Sequence, residues 1–156
     1  MQVVRKASVL VALGLVFGGA MAGEITGSTV LSTGAVNTSA GFLSTARQNI
    51  GVAEQNGKIT NSTIIGSGLN NVAAGFLSTA TQEVGFAKDN GEVVNSTVIA
   101  NGASNTAAGF LSTARQQIGG AQGNGKLKNS TVIATGSVNT AGGFLSSANQ
   151  SVGVAK

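Results

Sequence analysis

The chain repeats its own sequence every 34 residues, and this period restricts the possible folds more than any other feature. Four consecutive units align without gaps, at residues 25–58, 59–92, 93–126 and 127–156, and the last of them stops after 30 residues. A unit of this size cannot bury a core alone, so successive units are expected to stack and share one.

The residues within a unit favour β-strands over helices. Glycine accounts for 24 of 156 residues, and a β-branched run such as residues 96–99 recurs in each unit. Both residue types are poor in helix interiors. Asn-Gly pairs, a strong signal for tight turns with positive φ angles, recur once per unit. They are Asn56-Gly57, Asn90-Gly91 and Asn124-Gly125. Each unit is therefore predicted to form a strand, a bend, a second strand and an Asn-Gly turn. The chain as a whole is predicted to form an all-β solenoid of stacked cross-β rungs.

The second strand of each unit has one face that hardly changes between units. In the first unit this face carries Phe42, Ser44, Ala46, Gln48 and Ile50, whereas the alternate positions vary and stay polar. A period of two with one constant face predicts a half-buried strand. The stacked core is accordingly expected to contain one phenylalanine per unit: Phe42, Phe76, Phe110 and Phe144.

The orientation of the first strand is not evident. Residues 28–31 and their equivalents 62–65 place apolar side chains on both faces. Either both faces are covered, for example by a neighbouring filament, or the strand has a bulge near Gly34, and the sequence leaves these alternatives open.

Stacking at about 4.8 Å per unit would place each amide side chain on its equivalent in the next unit. Two amide ladders are predicted, because a buried amide is costly alone but can donate to one neighbour and accept from the other when stacked. The ladder on the second strand comprises Gln48, Gln82, Gln116 and Gln150. The ladder at the bend comprises Asn37, Asn71, Asn105 and Asn139.

Two columns of charged residues support the same register. Neither column places like charges on adjacent units, where they would repel. The first column comprises Glu54, Lys88, Gln122 and Lys156. The second comprises Lys58, Glu92 and Lys126.

Residues 1–22 have the features of a cleavable signal peptide. Arg5 and Lys6 precede an apolar stretch at residues 7–20, and Ala20-Met21-Ala22 matches the small-x-small pattern of a cleavage site. The stretch is shorter than the roughly 20 residues that span a bilayer, so we expect cleavage after Ala22 and no permanent membrane anchor. Because cysteine is absent, residues 23–156 would be held by backbone pairing and packing, without disulfides.

The composition argues against catalysis, metal binding and nucleic-acid binding. The chain has no histidine or cysteine and one aspartate, Asp89, so its serines lack a general base and a metal would lack ligands. Removal of the signal peptide would remove Arg5 and Lys6 from the nine basic residues. The remaining seven basic and five acidic residues give a net charge of +2. No basic stripe is interleaved with aromatic residues. We therefore expect no enzyme activity, no cofactor and no nucleic-acid partner.

The first and last units show no polar capping segment, and their unpaired edges are expected to recruit further copies of the chain. Lys156 would then lie against Glu54 of the next molecule, again with opposite sign. The sequence thus predicts head-to-tail addition into an amyloid-like fibre, a homopolymer of this chain.

Tandem imperfect repeats with Ser, Asn and Gln at fixed strand positions, behind a bacterial-type signal peptide, resemble curli subunits (curlins) and related bacterial functional amyloids. Curlin repeats are shorter, with amides closer together than Asn37 and Gln48. The longer unit also resembles Fap-type amyloid subunits, whose long variable linkers are absent here. The resemblance implies secretion through an outer-membrane pore, assembly started by a nucleator protein, and an extracellular fibre for biofilm matrix or adhesion.

Two other functions are compatible with the sequence. The phrases NSTVIATG and NTAAGFLSTA are similar to the head repeats of trimeric autotransporter adhesins, which favours a surface adhesin or binding module on a β-roll. An ice-binding solenoid would need regular threonine columns, and one such column comprises Thr29, Thr63, Thr97 and Thr131.

Overall fold

The computed structural model describes residues 23–156, and the predicted signal peptide lies outside them. The described residues form sixteen β-strands and no helix, wound into a solenoid of about four turns. This confirms the predicted fold class. Within this part of the chain, no helix is long and apolar enough to cross a membrane.

The strands fall into four parallel sheets, each holding one strand from every turn. Sheet A comprises β1 (Glu24–Thr26), β5 (Lys58–Thr60), β9 (Glu92–Val94) and β13 (Lys126–Lys128). Sheet B comprises β2 (Thr29–Thr33), β6 (Thr63–Ser67), β10 (Thr97–Asn101) and β14 (Thr131–Thr135). Sheet C comprises β3 (Val36–Ala40), β7 (Asn70–Ala74), β11 (Ser104–Ala108) and β15 (Val138–Gly142). Sheet D comprises β4 (Leu43–Ile50), β8 (Leu77–Ala87), β12 (Leu111–Ala121) and β16 (Ser147–Ala155).

Each turn contains four strands, so the prediction of two strands per unit is wrong. The corners at Gly27 (φ 59°) and Gly41 (φ 152°) add two further changes of direction to those expected from the sequence. In the later turns the position equivalent to Gly27 is an asparagine, which adopts the left-handed region more readily than most residues. Those corner residues, with φ between 47° and 50°, are Asn61, Asn95 and Asn129.

All pairing is in register, so each residue lies beside its equivalent one turn away. Between β4 and β8, for example, Leu43 pairs with Leu77 and Gln48 with Gln82. The same 34-residue offset relates the paired strands of all four sheets. Stacking of identical columns, inferred from the sequence period, is therefore the geometry of the molecule.

A glycine late in sheet D allows the sheet to approach sheet B closely. Gly85 has φ +60°, and a Cβ built there would lie 2.5 Å from the nearest side-chain carbon of Val98. The pairing of β12 with β8 runs from Ile118 and Val84 directly to Gly120 and Phe86, which leaves Gly85 outside the ladder. Only glycine can adopt the left-handed backbone without strain and also fit where there is no room for a Cβ atom.

The interior holds two separate apolar clusters. The larger, between sheets A, B and the end of D, is aliphatic and includes Ile59, Ile64 and Val84, each fully buried. The smaller, between sheets C and D, consists of alanine alone. Its buried members are Ala46, Ala73, Ala80, Ala107 and Ala114. In this cluster only methyl groups separate sheet C from sheet D, so the two sheets lie close together.

The structure also answers the question of how the first predicted strand faces. In sheet B, Ile64 and Val98 point inward and are fully buried, whereas Leu31 and Ile133 on the outer face are about half exposed. Gly34, with φ 64°, forms the corner between sheets B and C. The alternative of a bulge is wrong, because Gly34 turns the chain into sheet C. Within this single chain the outer face of sheet B is partly open to solvent.

Candidate functional site

The predicted glutamines form a continuous amide ladder along the solenoid axis. At each step the Nε2 of one glutamine donates to the Oε1 of the glutamine one turn earlier, at 2.7, 2.6 and 2.5 Å. Gln82 and Gln116 are fully buried. This Gln column comprises Gln48, Gln82, Gln116 and Gln150.

Backbone carbonyl groups accept the remaining amide hydrogens of the Gln column. Gln116 Nε2 lies 3.1 Å from the carbonyl oxygen of Ala103 and 3.4 Å from that of Val138. Gln48 Nε2 donates to the Ala35 carbonyl at 3.1 Å. These carbonyls lie at or next to the corner between sheets B and C, so each glutamine ties sheet D to that corner. Partnering of this kind removes most of the cost of burying an amide.

The predicted asparagines also stack, but inside sheet C and not at the bend. Asn37 is the second residue of β3, three positions after the corner at Gly34, and its equivalents Asn71 and Asn105 are fully buried. Each Nδ2 donates to the Oδ1 one turn later, at 2.8, 2.8 and 2.7 Å. This Asn column comprises Asn37, Asn71, Asn105 and Asn139.

The Asn column fastens sheet C to sheet D across the alanine cluster. Asn71 Nδ2 lies 2.9 Å from the Thr81 carbonyl oxygen and 3.1 Å from that of Ala46, both in sheet D. The two buried ladders also run in opposite directions. Donors of the Gln column point toward the first turn, whereas donors of the Asn column point toward the last.

The Asn-Gly turns differ in detail from the prediction and carry a third ladder. Positive φ angles occur at Gln55 (57°) and Asn56 (62°), one position earlier than expected. Gly57 is required for a different reason, since a Cβ there would lie 2.1 Å from the Ala53 carbonyl oxygen. The turn asparagines Asn56, Asn90 and Asn124 are linked by 3.0 Å hydrogen bonds on the surface. Sequence reasoning had treated them only as turn formers.

The phenylalanines stack, but they are not part of the core. Ring centroids are 5.1, 5.0 and 5.2 Å apart along the column of Phe42, Phe76, Phe110 and Phe144. Their exposed fractions are 69%, 44%, 43% and 66% in that order. The prediction of a buried phenylalanine core is wrong because the corner at Gly41 interrupts the alternation. The inward face of β4 starts only at Ser44.

The structure extends the second charge column by a residue that the sequence analysis missed. Glu24 pairs in register with Lys58, so signs alternate along Glu24, Lys58, Glu92 and Lys126. Counting 34 residues back from Lys58 would have found it. Lys126 Nζ lies 3.2 Å from Glu92 Oε1. This hydrogen-bonded contact holds the pKa of Glu92 below its ordinary value.

Lys88 joins two glutamates, of which only one belongs to its column. Its Nζ lies 3.0 Å from Glu54 Oε1 in the previous turn and 2.6 Å from Glu83 Oε2 in its own turn. Burial acts to lower the pKa of Lys88, but hydrogen bonds and charge attraction from Glu83 and Glu54 outweigh it, so the pKa lies above 10.5. The ammonium group thus compensates the buried carboxylate of Glu83.

The end turns of the described residues present open edges. In residues 23–156, the first and last turns each leave one edge of all four sheets without a partner strand. Such edges expose backbone N–H and C=O groups that pair readily with another chain. Across the same residues, no group of three or more His, Cys, Asp or Glu could hold a metal ion.

These features define a class of protein, the parallel β-solenoid whose turns are joined by stacked amide ladders. No protein-family model matches this chain, and no curated protein or solved structure matches it.

Proposed function

We propose that this protein is a secreted structural subunit that adds head to tail into extracellular, amyloid-like fibres. The observation that carries the proposal is the complementarity of the two end turns, since each unfinished column at one end is matched by its continuation at the other. A second copy placed end to end would extend all four sheets in the existing register.

The amide columns favour one orientation of the added copy. Within the described residues, the first turn offers a Gln48 Nε2 donor and an Asn37 Oδ1 acceptor at its edge. The last turn offers a Gln150 Oε1 acceptor and an Asn139 Nδ2 donor. Head-to-tail contact in register pairs the donor of each column with the acceptor of the same column, so both ladders continue. Joining two equal ends with each column facing itself would bring donor to donor and acceptor to acceptor.

The charged columns favour the same orientation. At a head-to-tail junction, Lys156 would lie against Glu54 and Lys126 against Glu24, so opposite signs meet in both columns. Adjacent opposite charges on paired strands are stabilising, and like charges are destabilising.

The phenylalanine column would also continue across the junction. Phe42 and Phe144 at the two ends are more exposed, at 69% and 66%, than Phe76 and Phe110, at 44% and 43%, because each end ring lacks one stacking neighbour. Stacking Phe144 on Phe42 of the next copy would bury those faces.

The cellular setting follows from the sequence. The predicted signal peptide supports export, and the curlin-like repeats support a fibre in biofilm matrix or surface adhesion, with a secretion pore and a nucleator protein as partners. No nucleic acid and no membrane anchor take part in this proposal.

The test is assembly of the purified chain comprising residues 23–156. Each of the sixteen strands pairs with a strand of the same sheet within this part, so it has the contacts to fold alone. Expected results are thioflavin-positive fibres by electron microscopy and diffraction spacings of about 4.7–4.8 Å and 10 Å. A stable monomer without such fibres over several days would overturn the proposal.

A matched pair of variants tests the junction itself. Lys156→Glu should slow elongation several-fold at low salt, because it places a glutamate against Glu54 of the next copy, and salt should remove the difference. Within one chain the neighbour of Lys156 in this column is the neutral Gln122, so monomer stability should not change. Lys128→Glu makes the same charge change directly opposite Thr26 and only diagonally from Glu24 of the next copy, so it should slow elongation much less. Equal slowing in both variants would exclude the proposed contact.

Ice binding is a second candidate, favoured by the threonine column on the outer face of sheet B. On the same face the adjoining column is aliphatic and begins at Leu31. The column beyond it is irregular and comprises Thr33, Ser67, Asn101 and Thr135. Thermal hysteresis from the monomer, in the absence of fibres, would favour ice binding over assembly.

A further inference from the structure

An apolar stripe runs along the whole solenoid at the corner between sheets C and D. It combines the phenylalanine column with the adjoining leucine column. The Phe–Leu stripe comprises Phe42, Phe76, Phe110, Phe144, Leu43, Leu77, Leu111 and Leu145. The leucines form one wall of an open groove on sheet D that also includes Thr45 and Thr79.

The size of the stripe sets it apart from ordinary surface exposure. Seven of its eight side chains are between 36% and 72% exposed. At roughly 200 Å² for each fully exposed side chain, they present about 800 Å² of apolar surface on the single chain. The largest apolar patch on a typical monomer is about 300–600 Å². Two such stripes placed face to face would bury at most about 1,600 Å² in total, which lies within the range of stable protein interfaces.

We propose that the Phe–Leu stripe pairs side by side with the same stripe of a second copy. An identical solenoid has the matching period, so every turn of one stripe can lie against a turn of the other. The phenylalanine column of one copy can then pack beside the leucine column of its partner along the whole length, as in a dry zipper between paired sheets. The pair is a lateral contact and is independent of the end-to-end junction.

The charge distribution permits this self-contact. The stripe has no ionisable residue, and neither do the columns on its two sides, which begin at Ala40 and Thr45. The nearest basic positions on the outer face of sheet D are Arg47 and Arg115. The column that begins at Thr45 separates them from the leucines. Pairing therefore brings no like charges into direct contact.

The experiment measures mass per unit length of fibres formed by residues 23–156, using scanning transmission electron microscopy. One filament holds one chain per four turns, about 19 Å at 4.8 Å per turn, and a laterally paired fibre holds two. We expect the paired value for the wild type and half of it for Phe76→Thr with Phe110→Thr.

The matched control is Leu31→Thr with Ile133→Thr on the outer face of sheet B. Those side chains are 52% and 44% exposed, similar to the 44% and 43% of Phe76 and Phe110, but they lie outside the stripe. The control should keep the paired mass. A wild type with the single-filament mass, or a stripe variant with the paired mass, would overturn the proposal.

Two further measurements test the lateral contact if the first variant misfolds or if no fibres form. If the phenylalanine variant loses its strand signal in circular dichroism, Leu43→Thr with Leu145→Thr replaces it, with the same expected halving. If no fibres form at all, the proposed assembly fails but the stripe is still tested by sedimentation equilibrium of the soluble protein. A dimer that the stripe variant converts to monomer supports lateral pairing, and a monomeric wild type at 100 μM refutes it.

Discussion

Two neighbouring glutamines offer a direct measurement of what the buried amide ladder contributes. Gln116 points inward and is fully buried, whereas Gln117 lies on the outer face of the same strand. Gln116→Leu and Gln117→Leu therefore make the same chemical change on opposite faces of β12. Only the first interrupts the ladder.

The expected cost follows from the contacts that Gln116→Leu removes. The ladder bonds from Gln116 to Gln82 and from Gln150 to Gln116 are lost, each worth about 1 kcal/mol net. Gln82 Oε1 loses its ladder donor in a fully buried position, which costs a further ~1–3 kcal/mol. The added leucine recovers roughly 1–2 kcal/mol by burying apolar surface. These terms give an expected net loss of about 1–4 kcal/mol in the free energy of unfolding.

Urea unfolding of residues 23–156, followed by circular dichroism before assembly begins, measures this difference. Gln117→Leu should lower the free energy of unfolding by much less, because Gln117 is only half-buried and its side chain is not part of the ladder. Similar m-values would show that the denatured states are comparable. If Gln116→Leu proves as stable as Gln117→Leu, apolar burial compensates the lost hydrogen bonds and the ladder is not a net source of stability.

Three further predictions concern the fold. Gly85→Ala should lower the free energy of unfolding by more than Gly27→Ala, since both have φ near +60° but only Gly85 lacks space, with Val98 within 2.5 Å; the Gly27 change should cost about 1–2 kcal/mol. Because the pKa of Lys88 is raised in the folded state, its contribution to stability is complete below pH 10.5 and is lost as the pH rises through the higher folded-state pKa. The urea midpoint should therefore fall in that alkaline range, and Lys88→Met should make this fall smaller. The lowered pKa of Glu92 means that its stabilisation is present above pH 4.5 and is lost as the pH falls, so Glu92→Gln should make the urea midpoint less sensitive to acid below that pH. A pH profile unchanged by either substitution would contradict the assigned ion pair.

The stacking of the turns was predictable because the period is strict and the amides recur at fixed places. Gln48 and Ala46 could be assigned to the inward face, since their positions alternate with variable polar ones over a long strand. The short strands gave no such signal. β1 has three residues and β3 five, and corners separate them, so the two-residue alternation had too few positions to show itself.

The errors have physical causes at particular residues. Phe42 was assigned to the core because it continues the spacing of Ser44 and Ala46, but the corner at Gly41 ends that spacing. The contact between Lys88 and Glu83 was missed for another reason. It joins residues of one turn, and comparing equivalent positions between units cannot detect it.

The two buried amide ladders run in opposite directions, and this affects how long a stack of turns can become. Along an α-helix, aligned peptide dipoles add up to partial charges at the two ends. In this solenoid the side-chain dipoles of the Gln column and the Asn column cancel turn by turn, because one column donates toward the first turn and the other toward the last. No field from these columns builds up as turns accumulate. A turn joining a long stack therefore meets the same electrostatic environment as one joining a short stack, and the ladders themselves set no limit to how far the stack can extend.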